Sequence, residues 1–426
     1  MTMIMEQRER QGSGPTLDDL NAAFKERLLR DEERLAAIFD SQPDLYGIDP
    51  QQLPAQTWEC VAWEYMNPKE RDRILAGMFR HTLARAKDAM PIYRMSEAYK
   101  SVDPRDITTM ADLVNVPLLV KDGKHGFREK VRRMPTLLRP DDMPITMSPY
   151  LSGGTGIDEQ TVGKSTPTWI SERDLDTESR ALAFRCFVPG GFHSQMRFMN
   201  FYNLAHKGGE EIRRAMNHLG VETFVPRRPE DSMESCLHYM ETFGVNAIAA
   251  VPQSPRDRKG APKGGAVSFE DMYMARASLF GGDAQVTNAF VTGFALPESV
   301  IRLAERNDLR LFTTWGASEA IPGCTSTVLG PPTRVCKHNN QHLLHFPHFL
   351  SVVDTHRNRF CKPGEEGLLL VTTIARDGTL FINYAIGDKA TVISNECDCG
   401  RTTPVIGNIR REDNPTELSE GGCRFA

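Results

Sequence analysis

The sequence predicts an α/β fold, on three observations. From about residue 145, short apolar stretches alternate with segments of helical spacing: Arg197 to Asn203, then Ile212 to Leu219 followed by Val221 to Val225, and Val300 to Arg306 followed by Leu309 to Thr313. Two β-type stretches run into an acid, Phe312 to Glu319 and Phe381 to Asp388. The chain has 426 residues, enough for two or three packed units of about 100 to 200 residues and a sizeable pocket.

Taken in order, Leu17 to Phe39 sets Leu20, Ala23, Phe24, Leu28, Leu29, Leu35, Ala36 and Phe39 at helical spacing among charges, an amphipathic arm. A proline-containing stretch from Gln42 to Gln56 separates it from a second helix, Lys69 to Asp88, which stops before Met90 and Pro91. The expected division is a helical arm over 1–57, a large domain over 58–413 and a tail over 414–426. Arg256 to Gly265 is basic and rich in glycine and proline, the composition of an exposed loop.

A formal net charge of −5 gives no broad basic surface, so nucleic acid is not an expected partner. No apolar run approaches the roughly 18 residues needed to span a bilayer, and Met1 to Pro15 lack the apolar core of a secretory signal. The expectation is a soluble, cytoplasmic protein without a membrane. Nine cysteines, scattered over the chain, suit thiols or metal ligands better than a disulfide framework.

Four motifs carry chemistry. Leu151 to Gly156 (LSGGTG) clusters glycines whose N–H groups can point into one concavity, with the Ser152 and Thr155 hydroxyls as further donors, an arrangement suited to a polyphosphate. Phe312 to Glu319 ends in Trp315, Gly316 and Glu319: a carboxylate at a strand end can hold Mg²⁺ against phosphate oxygens, and a ring beside it can stack on a base. Asp388, closing the third motif, can accept ribose hydroxyls. The fourth is Cys397-Asp-Cys399-Gly-Arg-Thr402, leading to Ile409 through Asp413. Each motif alone also fits a turn, a core ring or a surface acid; their order is more telling than any one of them.

In that order the chain resembles the acyl-adenylate-forming superfamily and, within it, the phenylacetate-CoA ligase family, from about Arg80 to Asp413. His81 to Arg94 looks like that family's opening helix, and Ile107 to Asp122 (ITTMADLVNVPLLVKD) like the segment before its phosphate loop. Met199 to Gly209 resembles the stretch bordering the acyl pocket, and Thr292 to Ala295 stands where the adenine loop would be. The resemblance implies two αβ sheet subdomains plus a distorted β-barrel. It implies a phosphate loop of Ser152, Gly153, Gly154, Thr155 and Gly156, Mg²⁺ on Glu319, adenine against Gly293, Trp315 and Gly316, and ribose on Asp388. Arg411 would be the hinge-motif arginine. Glu319, Thr155 and Arg411 are the implied catalytic residues, and Phe201, Tyr202, His206 and Gly208 the candidate acyl pocket. Some members of that family carry a cysteine-histidine set similar to Cys336, His342, Cys397 and Cys399, whose four N/S donors suit structural Zn²⁺.

The implied activity is ATP- and Mg²⁺-dependent adenylation of a carboxylic acid, aromatic by family analogy, for transfer to CoA, a carrier protein or an amine. Three departures stand beside it. Asp158 and Glu159 follow the glycine loop, where like charge opposes a polyanion; the adenine loop has Phe294 and Ala295 without its usual acid; and the family's small C-terminal domain of about 100 residues, with its lysine, does not follow Asp413. A separate C-terminal domain is therefore among the expected partners, and a homodimer is a further expectation. Self-acylation at Cys423, as in acyl-protein synthetases, and a non-catalytic nucleotide-binding scaffold are the alternative readings.

Overall fold

The computed structural model describes residues 63–64, 66–121, 126–143, 148–151, 166–188, 190–226, 233–253, 267–281, 285–293, 296–320, 324–325, 328–329, 341–374, 376–397 and 401–411. The expected arm, the loop from Arg256 to Gly265 and the tail lie outside them.

Helix α1 (Pro68–Ala89) runs one residue beyond the expected helix at each end. Asn67 caps it, Oδ1 accepting the Lys69 N–H at 3.0 Å, and Pro68 occupies the first turn, where no backbone N–H is needed. It stops where Met90 turns extended ahead of Pro91. Its inner face, with Leu75, Met78, Phe79, Leu83 and Ala86, is buried in the main core. Strand β1 (Leu119–Val120) follows. Next come β2 (Ser148–Leu151) and β3 (Pro167–Ile170), an antiparallel pair. Ser171 then starts α2 (Glu172–Leu182) through a reciprocal cap with Asp174, each side chain accepting the other's N–H at 2.9 Å.

The predicted alternation becomes one wound sheet: β4 (Arg197–Asn200), α3 (Lys207–His218), β5 (Glu222–Phe224), α4 (Met233–Phe243), β6 (Ala247–Ala250), α5 (Phe269–Ala275), β7 (Asn288–Val291), α6 (Glu298–Arg306) and β8 (Arg310–Phe312). The strands pair in parallel in the order β5-β4-β6-β7-β8. Alternate residues serve opposite faces. Phe198, Ala247, Ala249, Phe290 and Phe312 enter the main core, while Met199, Ile248, Ala250, Ala289, Val291 and Leu311 enter a second core. The strand order reverses between β4 and β6, and at such a point the crevice beyond the strands' C-terminal ends is open to a ligand.

The remaining strands are β9 (Cys324–Thr325), β10 (Val328–Leu329), β11 (Gln341–Leu343), β12 (His348–Asp354), β13 (Arg359–Phe360), β14 (Glu366–Thr373), β15 (Tyr384–Ser394) and β16 (Val405–Arg411). β10 adds antiparallel to β8. The others form a second sheet in the order β13-β12-β14-β15-β16-β11-β9, antiparallel throughout, with β1 parallel to the first residues of β15. The α/β class expected from the alternation is thus a parallel α/β sheet joined through the main core to an antiparallel one. Buried Glu64 ties the ends of the described chain together, accepting from Arg185 Nε at 2.8 Å and from Arg401 Nε. Among the described residues no helix is long and apolar enough to cross a membrane.

Candidate active site

The C-terminal mouth of the parallel sheet collects the motifs. Past β4 the face alternation continues, so Phe201 packs against the second core while Tyr202 packs against the main one. The Tyr202 hydroxyl lies 2.7 Å from the carbonyls of both Ala250 and Thr292 and accepts the Thr292 N–H at 3.1 Å, bridging the ends of β4, β6 and β7. Gly293 follows with φ +93°, a conformation that suits glycine alone.

His206 caps α3: its Nδ1 accepts the Gly208 N–H at 3.1 Å, so in the neutral ring Nε2 carries the proton and faces Ser318 Oγ at 3.0 Å. Burial, assisted by the neighbouring Lys207 charge, lowers the His206 pKa and keeps the ring neutral, although Glu319 opposes this. Gly209 is required here, since a Cβ would meet the Asn203 carbonyl oxygen at 2.2 Å. That close approach folds the segment from Asn203 onto the helix start.

Glu319 is the centre of the site. Its carboxylate is 2% exposed, and Oε1 accepts from Lys121 Nζ at 2.8 Å and from the Tyr384 hydroxyl at 3.1 Å. Burial alone would raise its pKa; the Lys121 ammonium and the hydrogen bonds from Lys121, the Glu319 backbone N–H and Tyr384 outweigh that and hold the group ionised below its usual range. Lys121 reaches it because β1 lies beside Tyr384 and Ala385. Lys121 and Tyr384 both lie inside motifs read from sequence, yet sequence reasoning gave neither a role; the available signal was a lysine closing an apolar run.

Asp388 stands on the other side of the mouth. Trp315 Nε1 donates to its Oδ2 at 3.1 Å and Arg411 Nη1 to its Oδ1 at 3.0 Å. A bulge in β15 sets this up: Leu369 faces Asp388 while Leu370 faces Ala385, and Gly387 takes φ +97° in the extra length. The Trp315 backbone N–H is in turn held by Gln341 Oε1 at 2.8 Å.

Trp315, Gly316, Glu319, Asp388, Arg411, Tyr202 and His206 therefore lie at the seam of the two sheets. Gly293 is joined to them through Thr292, whose hydroxyl donates to the Thr314 carbonyl at 2.5 Å. Phe201 is turned to the opposite face. Ser152, Gly153, Gly154, Thr155 and Gly156 lie outside the described residues, as do Cys336 and Cys399. Of the other two cysteine-histidine candidates, His342 Nδ1 donates to the Thr403 carbonyl at 3.2 Å and Cys397 is half-buried. Among the described residues no cluster of three or more His, Cys, Asp or Glu is placed to hold a metal ion.

No protein-family model matches the chain. A phenylacetate-coenzyme A ligase of Thermus thermophilus is 23% identical over 355 residues, covering 80% of this chain and 70% of that enzyme. Among solved structures, a 2-hydroxyisobutyryl-CoA ligase in an open conformation with 2-HIB-AMP and CoA superposes with a TM-score of 0.66 at 17% identity, over 86% of this chain and 76% of that one. The same ligase in its postadenylation state gives 0.64, also at 17% identity, over 84% and 71%. The chain thus shares the fold of that 2-hydroxyisobutyryl-CoA ligase and is similar in sequence, along most of its length, to the phenylacetate-coenzyme A ligase.

Proposed function

We propose that the protein is an AMP-forming acid ligase that activates a carboxylic acid with ATP and passes the acyl group to CoA. One observation carries the reading: an ionised, buried Glu319 clamped by Lys121 sits at the same mouth as the Trp315–Asp388 pair, with neutral His206 and the Ser318 hydroxyl between strand ends. The CoA ligases similar to this chain support it.

In this reading a carboxylate oxygen of the acid attacks the α-phosphorus of ATP, the bond to pyrophosphate breaks, and a thiol then displaces AMP from the acyl carbon. The chain's own groups orient and neutralise. Trp315 and Asp388 hold the nucleoside, Asp388 exchanging the Arg411 guanidinium for ribose hydroxyls. Ser318 and His206 present a donor to the acid or α-phosphate, and Lys121 faces the phosphates. Glu319 suits Mg²⁺, because its carboxylate is held ionised and already attracts a cation. Mg²⁺ would supply charge neutralisation on the phosphate oxygens.

Acid-dependent exchange of pyrophosphate into ATP, screened over aromatic acids first and then short aliphatic and hydroxy acids, tests this reading; no exchange with any acid would refute it. CoA thioester formation with the best acid separates CoA from carrier-protein or amine acceptors. Structural zinc on Cys336, His342, Cys397 and Cys399 is proposed on donor chemistry. With Nδ1 committed to a carbonyl, the neutral His342 ring carries its lone pair on Nε2. Metal analysis of the purified protein with Cys397→Ser as control decides it, and absence of stoichiometric zinc ends the idea.

A further inference from the structure

Behind the mouth lies a buried ion cluster that the reading above leaves unused. Glu178, on α2, accepts from Arg376 Nε at 2.9 Å on Oε1 and from Lys207 on Oε2. Lys207 also faces Glu211 Oε1 at 2.7 Å, and His348 Nε2 lies 3.5 Å from Glu178 Oε1. Glu178, Lys207, Glu211, Arg376 and His348 are all buried. Burial alone would raise the Glu178 pKa, but Arg376 and Lys207 hold it well below the usual range; burial raises that of Glu211 and lowers that of His348 to about 4. Such a cluster is a poor source of net stability, because removing charges from water costs about as much as their pairing returns.

Its geometry supplies a different role. Arg376 Nη2 donates to the backbone carbonyl of Glu319 at 3.0 Å, and Nη1 faces the Thr379 carbonyl at 3.3 Å. Lys207 directly follows His206, and Ser318 directly precedes Glu319. His206 and Ser318 are themselves bonded. The six residues close a ring: His206, Ser318, Glu319, Arg376, Glu178, Lys207 and back to His206. The guanidinium spreads its donors over three groups, Nη2 donating to both the Glu178 carboxylate and the Glu319 carbonyl, Nε to Glu178 and Nη1 to Thr379; an ammonium in its place keeps the charge but not this spread.

We propose that Arg376, acting through Glu178 and Lys207, is a positioning residue that fixes Glu319 and His206 at one separation, so that the cation-holding carboxylate and the acid-facing imidazole behave as a unit. The inference rests on the function proposed above. It is tested on the full chain with Mn²⁺ as the probe metal, its affinity measured by electron paramagnetic resonance in the presence of a non-hydrolysable ATP analogue, alongside pyrophosphate exchange. For Arg376→Gln the expected result is a loss of roughly 10- to 100-fold in Mn²⁺ affinity and in kcat, with nucleotide affinity in the absence of metal unchanged. Arg376→Lys should recover part of both, and Lys207→Gln, on the opposite arm, should shift both in the same direction as Arg376→Gln. A folded Arg376→Gln protein with unaltered Mn²⁺ affinity and kcat overturns the proposal. Should that variant fail to fold, Arg376→Lys and Lys207→Gln carry the same two readouts, and unaltered values in both overturn it equally. A native protein that binds Mn²⁺ with the nucleotide analogue but exchanges pyrophosphate with no acid refutes the function instead, and the metal affinities still judge the ring.

Discussion

Lys121 and Glu319 stand 198 positions apart in the chain, yet Nζ of one lies 2.8 Å from Oε1 of the other, both side chains largely buried. The pair joins the end of β1, on the antiparallel sheet, to the loop after β8 on the parallel one. Replacing Lys121 by Met leaves a buried carboxylate with its hydrogen bonds from Tyr384 and its own backbone N–H but without its counter-charge. A loss of about 3 kcal/mol in unfolding free energy is expected, read by urea denaturation. The pH dependence should also invert. In the native protein the Glu319 pKa is depressed, so its stabilising contribution is present above its unfolded value and is lost as pH falls through the folded one. Without Lys121 burial raises that pKa, and the contribution is lost as pH rises; an unchanged pH profile would contradict the assignment.

Trp315→Phe keeps a ring but removes the Nε1–H that orients Asp388. A hydrogen bond to a charged group contributes about 1.5 to 3 kcal/mol, so KM for ATP should rise at least about tenfold while KM for the acid stays near its native value. Equal effects on both would place Trp315 elsewhere in the reaction.

Burial separates the ion pairs of this chain into two classes. Glu64→Gln removes the carboxylate charge shared by Arg185 and Arg401, whose side chains are 1% and 0% exposed, and should cost about 3 to 5 kcal/mol. Lys100→Ala breaks a pair with Glu97 exposed at 52% and 85% and should change stability by less than about 1 kcal/mol. Comparable urea midpoints for the two variants would show that Glu64 is not the tie described.

Acid should weaken the fold before most carboxylates titrate. Burial lowers the His348 pKa from 6.5 to about 4 and that of His345 well below 6.5. Between roughly pH 6.5 and pH 4 the unfolded chain binds protons that the folded chain refuses, so stability falls as pH falls through that window. Urea midpoints measured at pH 7.5 and pH 5 check this, and a midpoint at pH 5 equal to or above that at pH 7.5 would rule it out.

The parts of the site that could be read in advance share one property: their meaning is local. Glu319 and Asp388 end apolar runs, Trp315 sits in one, and a strand followed by a helix predicts where such ends gather. The α1 helix was legible within a residue at each end because proline and asparagine punctuate it. His206 shows the limit of such reading, since neither its duty as the α3 cap nor its bond to Ser318 has a periodicity to betray it.

By itself the sequence determined the α/β class, the order of elements and the strand ends at which a carboxylate and an indole would stand, because these follow from apolar spacing and from where backbone conformations change. Tertiary structure alone decided which groups meet there. The bulge at Gly387 turns Asp388 toward Trp315, β1 brings Lys121 to Glu319, and Arg376 reaches back from the β14–β15 loop to the Glu319 carbonyl. Each depends on register between strands far apart in the chain, and a charge's role is set by its burial and its partner, which no local pattern encodes.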